Sequence, residues 1–268
     1  MNLGYACINM NFSSLPKSQR ITTNRSMIKR TFAARGLPYA SELALANSRD
    51  LLKILQWNEQ HNIRFFRVSS DIFPWASEYE LAQLPDFEAI CDALQDAGDF
   101  IKEHNHRITS HPGPFNKLTS PRESVVVNTI RDLTVHGQLF DMLGLSRTPY
   151  NKLNIHVGAH YNDRQMALAN FCRNFERLPE SVRSRLTVEN DDKASLYSTK
   201  ELYDEVYERI GIPIVHDVHH HKFCTGGIDD EEAMLTAAMT WGDVRPVIHY
   251  SQSRAIEHND PKIRGNAH

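Results

Sequence analysis

The feature that most constrains this chain is the regular alternation of short β-rich runs with amphipathic helical stretches along nearly its whole length. Residues 2–6, 64–69, 107–110, 152–156, 186–189, 213–217 and 247–250 read as strands. Helices are expected near 48–61, 86–104, 120–143, 163–177, 199–209 and 230–241. The second of these is the clearest, because Phe87, Ile90, Leu94, Ala97 and Ile101 recur on one helical face. Ser120-Pro121-Arg122-Glu123 reads as a capping box with Pro at the first helical position, and Gly144 reads as a C-cap. Unbroken strand–helix alternation implies one parallel sheet. Seven strands in 268 residues fit an α/β fold of TIM (β/α)8-barrel type better than a doubly wound sheet. One domain over residues 1–268 is expected, with a loop insertion at about 10–46 that is too long for a plain connection. No eighth strand is visible, so the last strand and helix are expected to be lost to C-terminal truncation.

Composition narrows the function classes. Apolar residues are 41% of the chain, enough for a sizeable core. Four widely spaced cysteines (Cys7, Cys91, Cys172, Cys224) suit a reducing compartment and argue against a thiolate zinc site. With no leader pattern and no run near the roughly 20 apolar residues of a membrane span, a cytoplasmic protein without a membrane partner is expected, nucleoid-associated if bacterial. The net charge of −3 excludes a generally basic nucleic-acid binder. Residues 1–41, however, hold Lys17, Arg20, Arg25, Lys29, Arg30 and Arg35 and no acid. Such a segment can grip a polyanion while the acidic remainder binds cations, although a solvated loop would read the same way.

The chemistry gathers at strand ends. The third strand ends in His111, the fourth in His156 and the fifth in Glu189; the sixth leads to His216 and Asp217, with His220 three residues on, and the seventh ends in His249. In a barrel those C-terminal ends converge on one mouth. Imidazole and carboxylate donors without thiolate suit Mn²⁺, Fe²⁺ or Zn²⁺, and several of them round one pocket can hold two or three ions for phosphoryl chemistry. Each residue alone is more often an ordinary hydrogen-bonding or solvated group; five in register are not. Nucleotide-loop, nucleophile-elbow and HExxH patterns are absent.

These segments resemble the UV damage endonuclease family. The resemblance is carried by Leu3-Gly4-Tyr5-Ala6-Cys7-Ile8-Asn9, Phe66-Arg67-Val68-Ser69-Ser70, Ser110-His111-Pro112-Gly113, Asn154-Ile155-His156-Val157-Gly158, Leu186-Thr187-Val188-Glu189-Asn190, Asp217-Val218-His219-His220 and Ile248-His249-Tyr250-Ser251. It implies a TIM barrel related to endonuclease IV and xylose isomerase-like enzymes. It also implies a cluster of up to three divalent ions, Mn²⁺ expected, with Mg²⁺ or Zn²⁺ as alternatives. The implied reaction is incision immediately 5′ to a UV photoproduct in double-stranded DNA, by a monomer. By position, His111, His156, Glu189, Asp217, His220, His249 and His268 match metal ligands, with Glu189, His111 and His156 central to catalysis and Glu189 the choice for a bridging ligand. Tyr5 and Asn9 match a pair near the lesion, and Lys17, Arg20, Arg25, Lys29 and Arg30 would hold DNA phosphates.

Departures from the family pattern are local. Ser77-Glu78 stands where the family has Ser-His, so Glu78 would replace an imidazole ligand. Pro114-Phe115 stands where many members carry Gln-Tyr; Phe115 can still wedge into a base step, whereas Pro114 has no side-chain donor. Val247 stands where some members have Lys. Competing readings are a xylose isomerase-like sugar isomerase or epimerase, an apurinic-site endonuclease, and a metal-binding protein without catalysis.

Overall fold

The computed structural model of the chain describes residues 2–265, so the proposed ligand His268 lies outside the described residues. Seven strands are present among them: β1 (Gly4–Ala6), β2 (Phe65–Val68), β3 (Arg107–Ser110), β4 (Leu153–His156), β5 (Leu186–Glu189), β6 (Ile214–Asp217) and β7 (Ile248–His249). Their order in the sheet is the order in the chain. A parallel wall laid down in chain order, with helices in the connections, is the build of a (β/α) barrel; a doubly wound sheet reverses its order part-way. The expected α/β barrel class is therefore the one found.

Backbone packing gathers the chain into two compact units: residues up to Pro112 with Arg131–Leu153, and Gly113–Ile130 with residues from Asn154 onward. In the first, β1, β2 and β3 pair in parallel, Gly4 beside Phe65 and Val68 beside Ser110. The helices Lys29–Gln60 and Phe87–Glu103 pack on one another, burying Leu51, Ile54, Leu55, Ile90, Leu94 and Ala97. Gly98 allows the closest approach in this layer. A Cβ there would lie 2.1 Å from the carbonyl oxygen of Leu143, so only a residue without a side chain fits.

The helix Lys29–Gln60 departs from expectation, because it begins well before residue 48. Gly36, at φ 61° and ψ −156°, interrupts it, and Pro38 sits in the turn that restarts it. Pro38 and the surrounding Ser and Asn read locally as loop. Burial of Ala40, Ser41, Leu43, Ala44 and Asn47 supplies the stability that local propensity lacks. The non-helical part of the basic insertion therefore ends near residue 28.

In the second unit, β5, β6 and β7 are parallel, with Glu189 beside Val215 and Asp217 beside His249. Val188, Ile214 and Val215 are fully buried with Leu168, Phe171, Leu202 and Val206. Thr240 Oγ1 accepts from the Ile214 amide (2.9 Å), and the Trp241 indole donates to the Ile214 carbonyl (2.7 Å), so both backbone groups at the start of β6 are satisfied from one helix end. The capping box expected at Ser120 is only half formed. Ser120 Oγ accepts from the Arg122 amide, but Glu123 is drawn outward into an ion pair with Arg177. Gly144 takes the expected left-handed C-cap, at φ 63°.

Candidate metal centre

Strand pleating decides which side chains share a face. Residues two apart point the same way, which pairs Asn154 with His156 on β4, Thr187 with Glu189 on β5, and Val215 with Asp217 on β6. Glu189 is 2% exposed. Its Oε2 accepts from Asn154 Nδ2 and lies 3.0 Å from His249 Nδ1, while its Oε1 is 3.4 Å from His220 Nδ1. Asn154 is itself oriented, because Thr187 Oγ1 donates to its Oδ1 (2.7 Å). That bond leaves the amide NH₂ as the group facing Glu189.

Asp217 is also buried. It caps the short helix Val218–His221 through Oδ1, which accepts from the amides of His219 (2.8 Å) and His220 (2.9 Å). Asn190 clamps its backbone on both sides, accepting from the Asp217 amide (2.7 Å) and donating to its carbonyl (3.0 Å). His220 Nδ1 lies 2.9 Å from the Asn190 carbonyl oxygen, so the tautomer that bond selects presents Nε2, 4.0 Å from Asp217 Oδ2.

Glu189, Asp217 and His249 each offer one donor atom, all within 4.8 Å of one another. Two buried carboxylates that close repel unless cationic charge lies between them. Their donor set of carboxylate oxygen and imidazole nitrogen, without thiolate, fits a hard or borderline divalent ion.

His156 belongs to the same unit. Its Nδ1 is 3.3 Å from Asp191 Oδ1, and its ring centroid is 5.5 Å from that of His220. Burial disfavours the imidazolium, but the Asp191 carboxylate, which accepts from the ring, and the charge of Glu189 outweigh it and hold the His156 pKa at about 9. His216 shows the reverse. Pleating turns it away from Asp217, to Thr199 Oγ1 (3.1 Å) and Asp230 Oδ1 (3.0 Å), and burial depresses its pKa against the pull of Asp230.

The remaining candidates divide. His111 follows β3 in the other unit, half-buried, with Nδ1 3.1 Å from the Pro112 carbonyl oxygen. Glu78 is exposed on a 3-10 turn and joins no candidate metal group among the described residues, so the structure gives no support to its replacing an imidazole ligand. Tyr5 and Asn9 do form a pair: Asn9 Nδ2 donates to Tyr5 OH (3.0 Å), which donates to Asn58 Oδ1 (2.7 Å). Lys17, Arg20, Lys29 and Arg30 are exposed. Arg25 is instead held inward by Asp50 (2.6 Å), with Asn47 bracketing its backbone, and so anchors the basic segment. Phe115 is 88% exposed beside exposed Pro114, on a turn pinned by the buried Asn116, whose Nδ2 donates to the Gly113 carbonyl (3.0 Å).

Asn154, Thr187, Asn190 and Asp191 escaped the sequence reading. Two of them carried a signal, since Asn154 and Thr187 sit two residues before a candidate ligand and so on its face. The contacts of Asn190 and Asp191 across the strands carried none.

The UV-endonuclease UvdE family matches this chain over residues 1–266. The chain belongs to that family. Among curated relatives, the UV-damage endonuclease of Neurospora crassa is 38% identical over 234 residues, 81% of this chain and 34% of its own length. The UV-damage endonuclease of Schizosaccharomyces pombe is 34% identical over 261 residues, 94% of this chain and 42% of its own length. The chain thus spans well under half of either fungal relative. The solved structure of SacUVDE superposes with a TM-score of 0.84 at 32% identity, covering 99% of this chain and 83% of that one. This agreement supports the barrel assignment made from strand order. No helix among the described residues is long and apolar enough to cross a membrane.

Proposed function

We propose that this chain is a metal-dependent endonuclease that hydrolyses the phosphodiester bond immediately 5′ to a UV photoproduct in double-stranded DNA. The observation that carries the reading is the group of Glu189, Asp217 and His249, two buried acids and an imidazole closed on one point at the strand ends of a UvdE-family chain. Glu189, Asp217, His249, His156 and His220 would hold the divalent ions, Mn²⁺ by family resemblance, and His111 joins them by the same resemblance. When bound, such ions supply an activated water and neutralise charge on the attacking and leaving oxygens.

The chain's own residues do the rest. Asn154, oriented by Thr187, holds the Glu189 carboxylate in place, and Asn190 does the same for Asp217 through the backbone. Asp191 holds the His156 ring. The exposed Lys17, Arg20, Lys29 and Arg30 supply sequence-independent phosphate contacts. Phe115 fills the gap in the stack where the damaged dinucleotide leaves it; photoproducts stack poorly, so their extrusion costs less than that of intact bases.

The test is a nicking assay on UV-irradiated supercoiled plasmid with Mn²⁺, with incision mapped on an oligonucleotide carrying one photoproduct. Nicking of irradiated plasmid, stopped by EDTA and mapping to the 5′ side of the lesion, is expected. Cleavage of depurinated plasmid alone would replace the reading with an apurinic-site nuclease. Metal binding with no cleavage of either would leave a binding protein.

A further inference from the structure

Lys117 lies two residues beyond Phe115, in the segment between β3 and the helix Glu123–Met142. Its backbone is fixed: the amide donates to Thr129 Oγ1 on that helix (2.9 Å), and its carbonyl accepts from the Ser120 amide (3.2 Å). The side chain then lies over the loop that follows β4. A Cβ at Gly158 would meet Lys117 Nζ at 2.8 Å and Cδ at 3.0 Å, and Gly158 has φ +93°, so the lysine stem rests where only a glycine backbone allows it. Gly158 is two residues past His156. The side chain is half-buried, yet among the described residues its ammonium makes no hydrogen bond and no ion pair. The charges acting on it are those of Asp191, the carboxylate beside His156, and Lys193. Burial pulls its pKa below the usual lysine value, with Asp191 opposing and Lys193 assisting.

A partly desolvated ammonium with no partner costs free energy unless an anion completes it. Its side chain reaches the loop that follows His156, and its backbone continues the turn that carries the exposed Phe115. We infer that Lys117 is a positioning residue that grips a backbone phosphate of the DNA strand lying between Phe115 and the His156–Glu189 donors. The inference rests on the proposed DNA-cleaving function and adds to it a phosphate-contacting side chain outside the basic segment. As a point charge, lysine reads the phosphate and not the base, so its contribution is the same for damaged and intact duplex.

The measurement is the salt dependence of duplex binding, by fluorescence anisotropy with the intact chain and a photoproduct-bearing and an undamaged oligonucleotide, for the wild type, Lys117→Met and Lys117→Arg. Loss of one phosphate contact lowers the slope of log affinity against log salt by about 0.9. Lys117→Met is expected to show that drop on both duplexes, with affinity down about tenfold at low salt, the scale of one charge-assisted contact. Lys117→Arg should restore the slope. Mn²⁺ affinity should stay at the wild-type value and the melting temperature of Lys117→Met should not fall, because the ammonium holds nothing in the free protein and its burial is a cost there, and in nicking the loss should fall on KM and leave kcat. A slope unchanged in Lys117→Met overturns the inference while wild-type binding and nicking keep the function standing. A fall in melting temperature with equal loss of Mn²⁺ binding overturns it in favour of a structural lysine. A wild type that neither binds nor cuts irradiated DNA overturns both.

Discussion

Replacing His156 by Gln should destabilise the metal-free protein in a defined pH window. In the folded chain Asp191 and Glu189 hold the imidazolium up to about pH 9, against 6.5 for an unperturbed histidine. A group whose folded pKa is raised contributes stability that is fully present below its unfolded value, shrinks as pH climbs, and is gone above its folded value. The window here runs from 6.5 to about 9, and that interval corresponds to on the order of 3 kcal/mol. This is a ceiling, because the side chain keeps 23% of its exposure and solvent screens part of the attraction. Urea unfolding in EDTA at pH 6.5, 8 and 9.5 measures it. The stability gap between wild type and His156→Gln should close by up to that amount across the series, with the m-value unchanged. The same proton must leave when a metal takes the ring. Titration with Mn²⁺ in buffers of different ionisation enthalpy should therefore show proton release below pH 9, and apparent affinity should rise about tenfold per pH unit until then. A gap that stays constant from pH 6.5 to 9.5 would refute the charged Asp191–His156–Glu189 arrangement.

Glu189→Gln should abolish nicking of irradiated plasmid and Mn²⁺ binding at its site while leaving the far-UV circular dichroism unchanged; nicking at the wild-type rate would remove Glu189 from the centre. Phe115→Ala should narrow the ratio of cleavage between damaged and undamaged duplex without altering Mn²⁺ affinity, since the ring is exposed and offers no ligand atom; an unchanged ratio would discard the wedge. Gly98→Ala should lower the urea midpoint, because the new methyl would lie 2.1 Å from the Leu143 carbonyl oxygen; overpacking of this kind costs about 1–3 kcal/mol or more, and a midpoint equal to wild type would show that the helix can shift at no cost.

Much of the fold was legible because its signals are local. The short β-rich runs leading to His111, His156, Glu189, Asp217 and His249 located β3 to β7 to within a residue or two, and the helical face of Phe87 to Ile101 located its helix almost to the residue. Legibility failed where distant contacts override local preference. The helix starting at Lys29 is stabilised by what it buries, and Glu123 leaves its capping box for Arg177, 54 residues away.

The amino-acid sequence by itself determined the alternation of strand and helix, the donor type at each strand end, and the basic charge gathered ahead of the acidic body, since each is a property of residues and their spacing. Only the tertiary structure decided that Asp217 faces Glu189 and His249 while adjacent His216 turns to Thr199 and Asp230. It also decided that Arg25 serves Asp50, and that Asn154, Asn190 and Asp191 hold the ligands. Those outcomes depend on register and on packing between segments 14 to 35 residues apart, and a one-residue slip of a strand would exchange its two faces.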